Sequence, residues 1–188
     1  MLPDADQLPT IATERLRLRA LTEVDVPTLF AIFGDPEVCR YWSNPPLKDL
    51  SAAQALLRQI QKGFEDRSLF QWGITDARSG DLVGTCTLAA LSPQHRRSEI
   101  GFALAREVWG RGYLTEALPA LVDFAFTDLD LHRLEADVDP RNERSIRLLE
   151  RTGFRLEGHL RERYLMMGEV QDALMYGLLR TEWELGRP

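Results

Sequence analysis

The spacing of hydrophobic and polar residues changes several times along the chain, and each spacing predicts one kind of element. Arg15 to Arg19 alternates with a period of two, which is typical of a half-buried strand. From Asp25 to Gly34 the hydrophobic residues recur at helical spacing, and Asp35-Pro36 ends that helix because the residue before a proline avoids helical angles. A second helix is predicted from Ser51 to Asp66 on the same spacing.

The rest of the chain continues in alternating blocks. The pattern predicts strands at Leu69 to Thr75, Leu82 to Leu91 and Ser98 to Leu104, a helix from Leu114 to Ala125, a strand at His132 to Val138, a helix opening at Asp139-Pro140, and two strands between Phe154 and Leu179 that are split near Met167-Gly168-Glu169. Consecutive strands imply antiparallel pairing, and strand-helix-strand units imply some parallel pairing. The order therefore predicts an α+β domain with a mixed sheet flanked by helices.

The 188 residues are expected to form one domain, since neither a linker nor an internal repeat divides them. Residues 1–12, rich in acids and prolines, are expected to form a flexible arm, and residues 13–188 the single domain. The chain contains no apolar run long enough for a membrane span, and its beginning lacks the pattern of a secretory signal. We therefore expect a cytoplasmic protein without a membrane partner.

Charge and cysteine content narrow the function classes further. A net charge of -6 argues against nucleic acid as a partner, because phosphate binding needs a basic face, but it permits a cationic substrate. The two cysteines, Cys39 and Cys86, lie in segments with buried character and lack metal-site spacing, which favours free thiols over a disulfide or a metal site. The three histidines also lack ligand spacing, so no metal is predicted.

A glycine-rich turn follows the strand that ends at Leu104. Gly110 and Gly112 lie where a helix begins, so backbone N–H groups there can approach a ligand closely and the helix N-terminus favours an anion such as a pyrophosphate. Arg111 adds a charge that can pair with phosphate. Neither of the common phosphate motifs fits, since position 115 is threonine and no GK[ST] follows. A plain glycine-rich helix entry is the alternative.

Several motifs in order identify a family resemblance. The segment from Trp109 to Ala117 (WGRGYLTEA) resembles the acetyl-coenzyme A motif of the GNAT superfamily, in the form typical of the ribosomal-protein N-acetyltransferase (RimJ/RimL-like) branch. The segment from Asn142 to Phe154 is similar to the family pattern N-x-x-S-x-x-x-x-E-x-x-G-F, and Glu99 to Phe102 resembles its EIGYW strand. The tail also follows the branch pattern, at Tyr164, Gly168, Asp172, Tyr176 and Glu182-Trp183.

The resemblance implies a GNAT fold, with a mostly antiparallel seven-stranded sheet, four helices, and a splay between the fourth strand (about Ser98 to Leu104) and the fifth (about His132 to Val138). It implies acetyl-CoA as cosubstrate, with its pantetheine arm paired to backbone near Phe102 and Leu104. Further binding residues are implied at Trp109, Gly110, Arg111, Gly112, Tyr113, Leu114, Thr115, Asn142 and Ser145. Leu114 is bulkier than usual for its position, and Asn142 is equally suited to cap a helix.

The chemistry implied is direct attack of an amine on the thioester in a ternary complex. Glu99 is the candidate base, acting through water, and a strand-end surface carboxylate is its alternative. Leu149 stands where many members have a tyrosine acid, which leaves Ser145, as a donor to the cofactor sulfur, and Tyr164 as candidates; a helix-start serine and a buried strand tyrosine are the respective alternatives.

The branch resemblance favours a protein N-terminal α-amine as acceptor. An α-amine costs only about 1 to 1.4 kcal/mol to neutralise at pH 7, against about 4.6 kcal/mol for a lysine amine. A small amine such as a polyamine, an amino acid or an antibiotic is the alternative within the enzyme class. The loss of the tyrosine at position 149 also motivates a non-catalytic acetyl-CoA sensor. The protein is expected to be a monomer or a homodimer.

Overall fold

The computed structural model describes residues 7–42, 44–166 and 168–186, and within them eight strands form a single sheet flanked by helices. The strands are β1 (Ile11–Ala12), β2 (Leu16–Ala20), β3 (Leu69–Asp76), β4 (Leu82–Ser92), β5 (Arg97–Leu104), β6 (Arg133–Val138), β7 (Arg155–Met166) and β8 (Glu169–Leu179). The helices are α1 (Val26–Phe33), α2 (Pro36–Cys39), α3 (Leu50–Glu65), α4 (Tyr113–Thr127), α5 (Glu143–Arg151) and α6 (Arg180–Leu185).

The order across the sheet is β1-β2-β3-β4-β5-β6-β8-β7, and every neighbouring pair is antiparallel except β5 with β6. That parallel pairing covers only three residues on each strand, from Arg97 opposite Arg133 to Glu99 opposite Glu135. Beyond Glu99 the described parts of the two strands no longer pair. The predicted mixed, mostly antiparallel sheet and its splay are both confirmed, but the described residues form eight strands instead of seven and six helices instead of four.

Two hydrophobic layers cover the two faces of the sheet. One face packs against α4, whose Leu118, Leu121 and Phe126 are fully buried beside Trp72. The other face packs against α1, α2 and α3. Because successive side chains on a strand point to opposite faces, Leu104 lies in the first layer and Ala103 in the second. By the same alternation, the Glu99 side chain faces the layer of α1 to α3.

The start of the domain differs from the prediction of a flexible arm over residues 1–12. Leu8 is buried in the core, the Trp72 indole N–H donates to the Pro9 carbonyl at 2.8 Å, and Ile11–Ala12 pairs with β2. Residues 8–12 therefore pack on the sheet because a buried aromatic and a strand edge both supply partners for them. Residues 1–6 lie outside the described residues.

The predicted helices and strands agree with the structure to within about two residues, except at the start of α5, at the short helices α2 and α6, and at β1, which lies in the predicted arm. Helix α5 begins at Glu143, with Asn142 as its cap, and Pro140 lies before it instead of in its first turn. The short helices α2 and α6 were not predicted, since each spans about one or two turns and shows too little periodicity to detect. Of the turn expected at 167–169, Met167 lies outside the described residues.

Both cysteines are free and buried, as predicted. The Cys39 thiol donates to the Phe33 carbonyl at 3.1 Å, and Cys86 lies fully inside the core. Among the described helices, none combines the length and the apolar character that a membrane crossing requires.

Candidate active site

The splay leaves one edge of β5 open. Ala105 donates its N–H to the Val83 carbonyl, so residues of the same parity on β5, such as Ala103, bond to β4. The backbone groups of Phe102 and Leu104 consequently face the splay, where the family resemblance places the pantetheine arm. The Leu104 carbonyl already accepts a bond from the Trp109 indole N–H at 2.9 Å. This bond fixes Trp109 at the C-terminal end of the open edge of β5. The sequence motif predicted Trp109 as a binding residue but did not indicate this bond.

The glycine turn has the geometry of an anion site. Gly110 and Gly112 adopt φ angles of +79° and +76°, a region that side chains rarely enter. Gly112 is also the N-cap residue of α4, so no side chain caps the helix and its first N–H groups are available. A Cβ on Gly110 would meet no protein atom within 4 Å, so the space in front of the turn is open. These features fit a pyrophosphate held by backbone N–H groups.

Arg15 bonds the carbonyl side of this turn. Its guanidinium donates to the carbonyls of Arg111 and Gly112 at 3.2 and 3.3 Å, and its Nε bonds the Glu116 carboxylate at 2.6 Å. A second contact adds to the tether, because Glu116 also accepts from the Thr13 hydroxyl. The bonds engage carbonyls, so the N–H side of the turn is left for a ligand.

The other residues predicted in this turn fall into two groups. Leu114 packs against the core and Tyr113 donates its hydroxyl to Asp76 at 3.2 Å, so both side chains support the turn. Arg111 and Thr115 are exposed at the N-terminus of α4. Across the splay, the Arg144 guanidinium lies 5.1 Å from the centroid of the Trp109 ring, which links the starts of α4 and α5.

Helix α5 shows the structural role of Asn142 directly. Its side-chain oxygen accepts the Ser145 N–H at 3.2 Å, which is a helix N-cap. Ser145 is half-buried, and no hydrogen bond of its hydroxyl is found among the described residues. Leu149 is buried in the core, and its hydrocarbon side chain has no proton to donate.

An acidic recess lies on the α1–α3 face of the sheet, at the point where β5 and β6 separate. Its lining combines carboxylates, aromatic rings and other side chains from five parts of the chain: Tyr41, Trp42, Glu99, Asp137, Asp139, Tyr164, Met166, Gln171 and Asp172. The recess brings together Glu99 and Tyr164, two of the three predicted catalytic residues. Ser145 is not among its lining residues and belongs to the α5 side of the splay.

Glu99 differs from the other carboxylates of the recess because it has no hydrogen-bond or ion-pair partner among the described residues. Partial burial raises the pKa of Glu99, and the negative charges of Asp137 and Glu135 raise it further, against the opposing effect of Arg163 and Arg97. A carboxylate with a raised pKa binds a proton more readily, which is what a general base requires.

The remaining carboxylates are partnered. Asp139 pairs with Arg141 at 2.6 Å, and Asp172 lies 2.7 Å from the His159 ring. Asp137 accepts the Tyr164 hydroxyl at 2.6 Å. Sequence analysis missed Asp137; the only available signal was the polar alternation of Arg133, Glu135 and Asp137 along one face of β6.

An ion-pair ladder closes the paired end of the splay. Arg97 bonds Glu135 at 2.5 Å, Arg133 bonds the same carboxylate at 2.8 Å, and Arg133 also pairs with Glu157. The ladder joins β5, β6 and β7 below the recess. It lies where β5 and β6 still pair, just before the two strands diverge.

Comparisons with known proteins agree with this geometry. Residues 15–155 match the family described as "Acetyltransferase (GNAT) domain". The chain is 35% identical over 176 residues to "Uncharacterized N-acetyltransferase p20" of Bacillus licheniformis, covering 94% of this chain and 99% of that protein. It is 37% identical over 105 residues to "Putative ribosomal N-acetyltransferase YdaF" of Bacillus subtilis, covering 56% and 57% of the two chains.

A solved structure is similar over nearly the whole fold. The spermidine N-acetyltransferase from Vibrio cholerae, in complex with CoA and spermine, superposes with a TM-score of 0.82 at 26% identity, covering 92% of this chain and 99% of that one.

Proposed function

The chain belongs to the GNAT family of N-acetyltransferases, and on this premise we propose that it transfers the acetyl group of acetyl-CoA to the primary amine of a cationic acceptor. Acetyl-CoA supplies the activated acetyl group as a thioester. The protein then has to bind the cosubstrate along the splay, hold the amine beside it, and manage the protons that leave the amine and reach the thiolate.

The observation that carries the proposal is the position of the acidic recess at the splay. Glu99 and Asp137 lie on the two strands that separate there, and Tyr41 and Trp42 cover the recess from the end of α2. A concave site lined by carboxylates and aromatic rings attracts and desolvates a cation. The acceptor amine would therefore approach from the α1–α3 face.

Glu99 is the residue to which we assign the base. An aliphatic ammonium costs about 4.6 kcal/mol to neutralise at pH 7, so a polyamine needs a proton acceptor more than an α-amine does. The unpartnered carboxylate of Glu99, with its raised pKa, accepts the amine proton directly or through one water.

Direct attack is favoured over a cysteine-bound acyl intermediate. Burial raises the pKa of Cys39 to about 11, and burial also raises the pKa of Cys86. Both thiols therefore stay protonated and out of solvent at neutral pH, whereas a nucleophilic cysteine must be an accessible thiolate.

Ser145 is the better candidate for the proton donor to the leaving thiolate. Ser145 is half-buried in the first turn of α5, next to Arg144, whose guanidinium lies over the Trp109 ring. Since a thiol has a pKa of about 8.5, a weak donor supplies the roughly 2 kcal/mol needed at pH 7. Tyr164 is less suited to this task because its proton is held by Asp137.

Two classes of acceptor remain, a polyamine and a protein N-terminal α-amine, and a different observation favours each. The recess holds several carboxylates, which suits a polyamine with more than one positive charge, and the similar Vibrio cholerae structure carries spermine. The segment from Trp109 to Ala117 and the partial similarity to YdaF favour a protein N-terminal α-amine. We place the polyamine first because the recess is a property of this chain's own side chains.

The test is a thiol-release assay with acetyl-CoA and a matched panel of putrescine, spermidine, spermine and short peptides with a free α-amine, with products identified by mass spectrometry. Turnover highest for spermidine or spermine is expected. Turnover only with peptides would move the assignment to the α-amine. Calorimetric binding of acetyl-CoA without turnover of any amine would contradict the enzymatic proposal and favour a sensor.

A further inference from the structure

The Tyr164 hydroxyl and the Asp137 carboxylate form a pair inside the acidic recess that the family motifs do not indicate. We propose that Asp137 is a positioning residue of the acetyl transfer: it turns the Tyr164 hydroxyl so that its oxygen accepts from the acceptor amine, and it places a second negative charge beside Glu99. This inference rests on the proposed function and assigns Tyr164 a role different from the proton donor expected from the sequence.

The position of Asp137 follows from the splay. β6 pairs with β5 only up to Glu135, opposite Glu99, and Asp137 is the next residue on the same face of β6. Leu134, Ala136 and Val138 point to the opposite side, into the core. Asp137 therefore stands just beyond the last β5–β6 pair, where the recess opens beside the cosubstrate edge.

The direction of the hydrogen bond decides what Tyr164 can do. An ionised carboxylate only accepts, so the bond of 2.6 Å commits the tyrosine proton to Asp137. Towards other groups the phenol oxygen can then act only as an acceptor; Arg163 is one donor beside it, and Tyr164 belongs to the lining of the recess. An ammonium or amine N–H bonded there would be held beside Glu99, which takes its proton.

Asp137 is suited to this because its carboxylate is nearly enclosed. Its side chain is 10% exposed, and its only other ion-pair partner in the described residues is Arg163, whose Nε lies at 3.9 Å, longer than a hydrogen bond. Asp139 and Asp172, by contrast, have closer ionic partners, Arg141 and His159 respectively. Much of the charge of Asp137 therefore acts on the interior of the recess.

The charges around the pair set the expected pH dependence. Asp137 and Glu135 on β6, the buried Asp139 just after it and the more exposed Asp172 on β8 are negative, and Arg97 on β5 and Arg163 on β7 oppose them. Because the charge of Asp137 raises the pKa of Glu99, removing it lowers that pKa. Glu99 would then remain ionised to a lower pH, so the acid limb of the rate profile moves to lower pH.

The variants that test this are Asp137→Asn, Tyr164→Phe and the double substitution, with Asp66→Asn, at an exposed position after α3, as a matched change outside the recess. Asp137→Asn keeps the size of the side chain. We expect its kcat/KM for the amine to fall about 10-fold, chiefly through KM, with unchanged acetyl-CoA affinity and an acid limb shifted to lower pH. In the Tyr164→Phe background the further loss in kcat/KM should be smaller, because part of the effect passes through the hydroxyl.

A measurement without turnover supports the same contact. Burial raises the pKa of Tyr164, and the hydrogen bond and charge of Asp137 raise it further. Ultraviolet titration, with Tyr164→Phe used to identify the signal, should show this pKa lowered in Asp137→Asn; circular dichroism confirms that the variant is folded.

The outcomes separate the two proposals. A wild-type enzyme active on amines, together with a folded Asp137→Asn variant of unchanged kcat/KM and pH profile, would overturn the role of Asp137 alone. A wild type that binds acetyl-CoA but acetylates no amine would overturn the proposed function, and the role of Asp137 with it.

Discussion

The two ends of the candidate site are built from different materials. The cosubstrate end consists of backbone: the turn at Gly110 and Gly112, and the uncapped start of α4. The acceptor end consists of side chains, brought together from the end of α2 and from β5, β6, β7 and β8. A backbone site binds what all acyl-CoA molecules share, whereas a side-chain site can change with each acceptor.

The cosubstrate end and the acceptor end also differ in the contacts that support them. Arg15 ties the glycine turn to the start of β2 through carbonyl oxygens, without entering the ligand space. In the recess, by contrast, the hydrogen bond between Tyr164 and Asp137 joins two side chains that both belong to the lining. Substitutions at the two ends should therefore have separable effects, on cosubstrate affinity at one and on amine turnover at the other.

The largest effect is expected for Glu99→Gln. Loss of the base should lower kcat/KM for the amine by about 100- to 1000-fold and leave the Kd of acetyl-CoA unchanged. Because the pKa of Glu99 is raised, the rate of the wild type should fall with decreasing pH earlier than for an ordinary glutamate. Steady-state rates over a pH series measure this, with the exposed Glu65→Gln as control. Equal rates for wild type and Glu99→Gln would remove Glu99 from the mechanism.

Gly110→Val should weaken acetyl-CoA binding at the cosubstrate end of the site. Gly110 and Gly80 have the same φ of +79°, and a Cβ at either position meets no protein atom within 4 Å. Valine therefore strains the backbone equally at both sites, but only at Gly110 does it occupy the space in front of the helix start. We expect the Kd of acetyl-CoA, measured by calorimetry, to rise about 100-fold for Gly110→Val, or about 2.7 kcal/mol, and to stay unchanged for Gly80→Val. Similar affinities for the two variants would argue against phosphate binding at this turn.

Asp25→Asn tests the stability of the α1–α3 layer, which covers the acceptor side of the sheet. Asp25 is buried before α1 and bonds both terminal nitrogens of Arg19 at 2.8 Å. Burial opposes the charge, yet the bonds from Arg19 and Thr22 lower the pKa of Asp25 overall. Its stabilisation is present above the unfolded pKa of about 3.9 and is lost as pH falls through the lower folded value.

The substitution should therefore reduce the free energy of unfolding at pH 7 by about 1–3 kcal/mol and weaken its dependence on acid. Denaturant titration at pH 7 and pH 3 measures both quantities, with the exposed Asp66→Asn as control. Acetyl-CoA affinity of the folded variant should not change; a matching loss of affinity would mean that the two ends are coupled.

Arg15→Ala should have the smallest effect. It removes the tether behind the glycine turn but no group that faces the ligand, so the Kd of acetyl-CoA should rise only about 2- to 10-fold. Arg17→Ala on the same strand is the control, since among the described residues the Arg17 guanidinium donates only to the nearby carbonyls of Thr13 and Leu16. A loss as large as that of Gly110→Val would instead place Arg15 among the ligand-binding groups.

The parts of the molecule that could be predicted are those fixed by neighbours in sequence. Hydrophobic spacing located α1, α3 and α4 because each has a buried face that repeats over several turns. The role of Asn142 as a cap was likewise local, since its partner is Ser145. The arm was misjudged because Leu8 and Pro9 gain their partners from β3 and the core, far along the chain.

By itself, then, the sequence determined the order of helices and strands, the glycine turn with its helix start, and the family. These depend on contacts within a few residues, or on contiguous motifs such as the one from Trp109 to Ala117. Tertiary structure alone decided that Asp137 meets Tyr164 across 27 positions of sequence, and that Glu99, without a hydrogen-bond or ion-pair partner in the described part of the chain, lines the same recess. The physical reason is that a charged recess depends on which strands separate and where, and that is set by packing across the whole sheet.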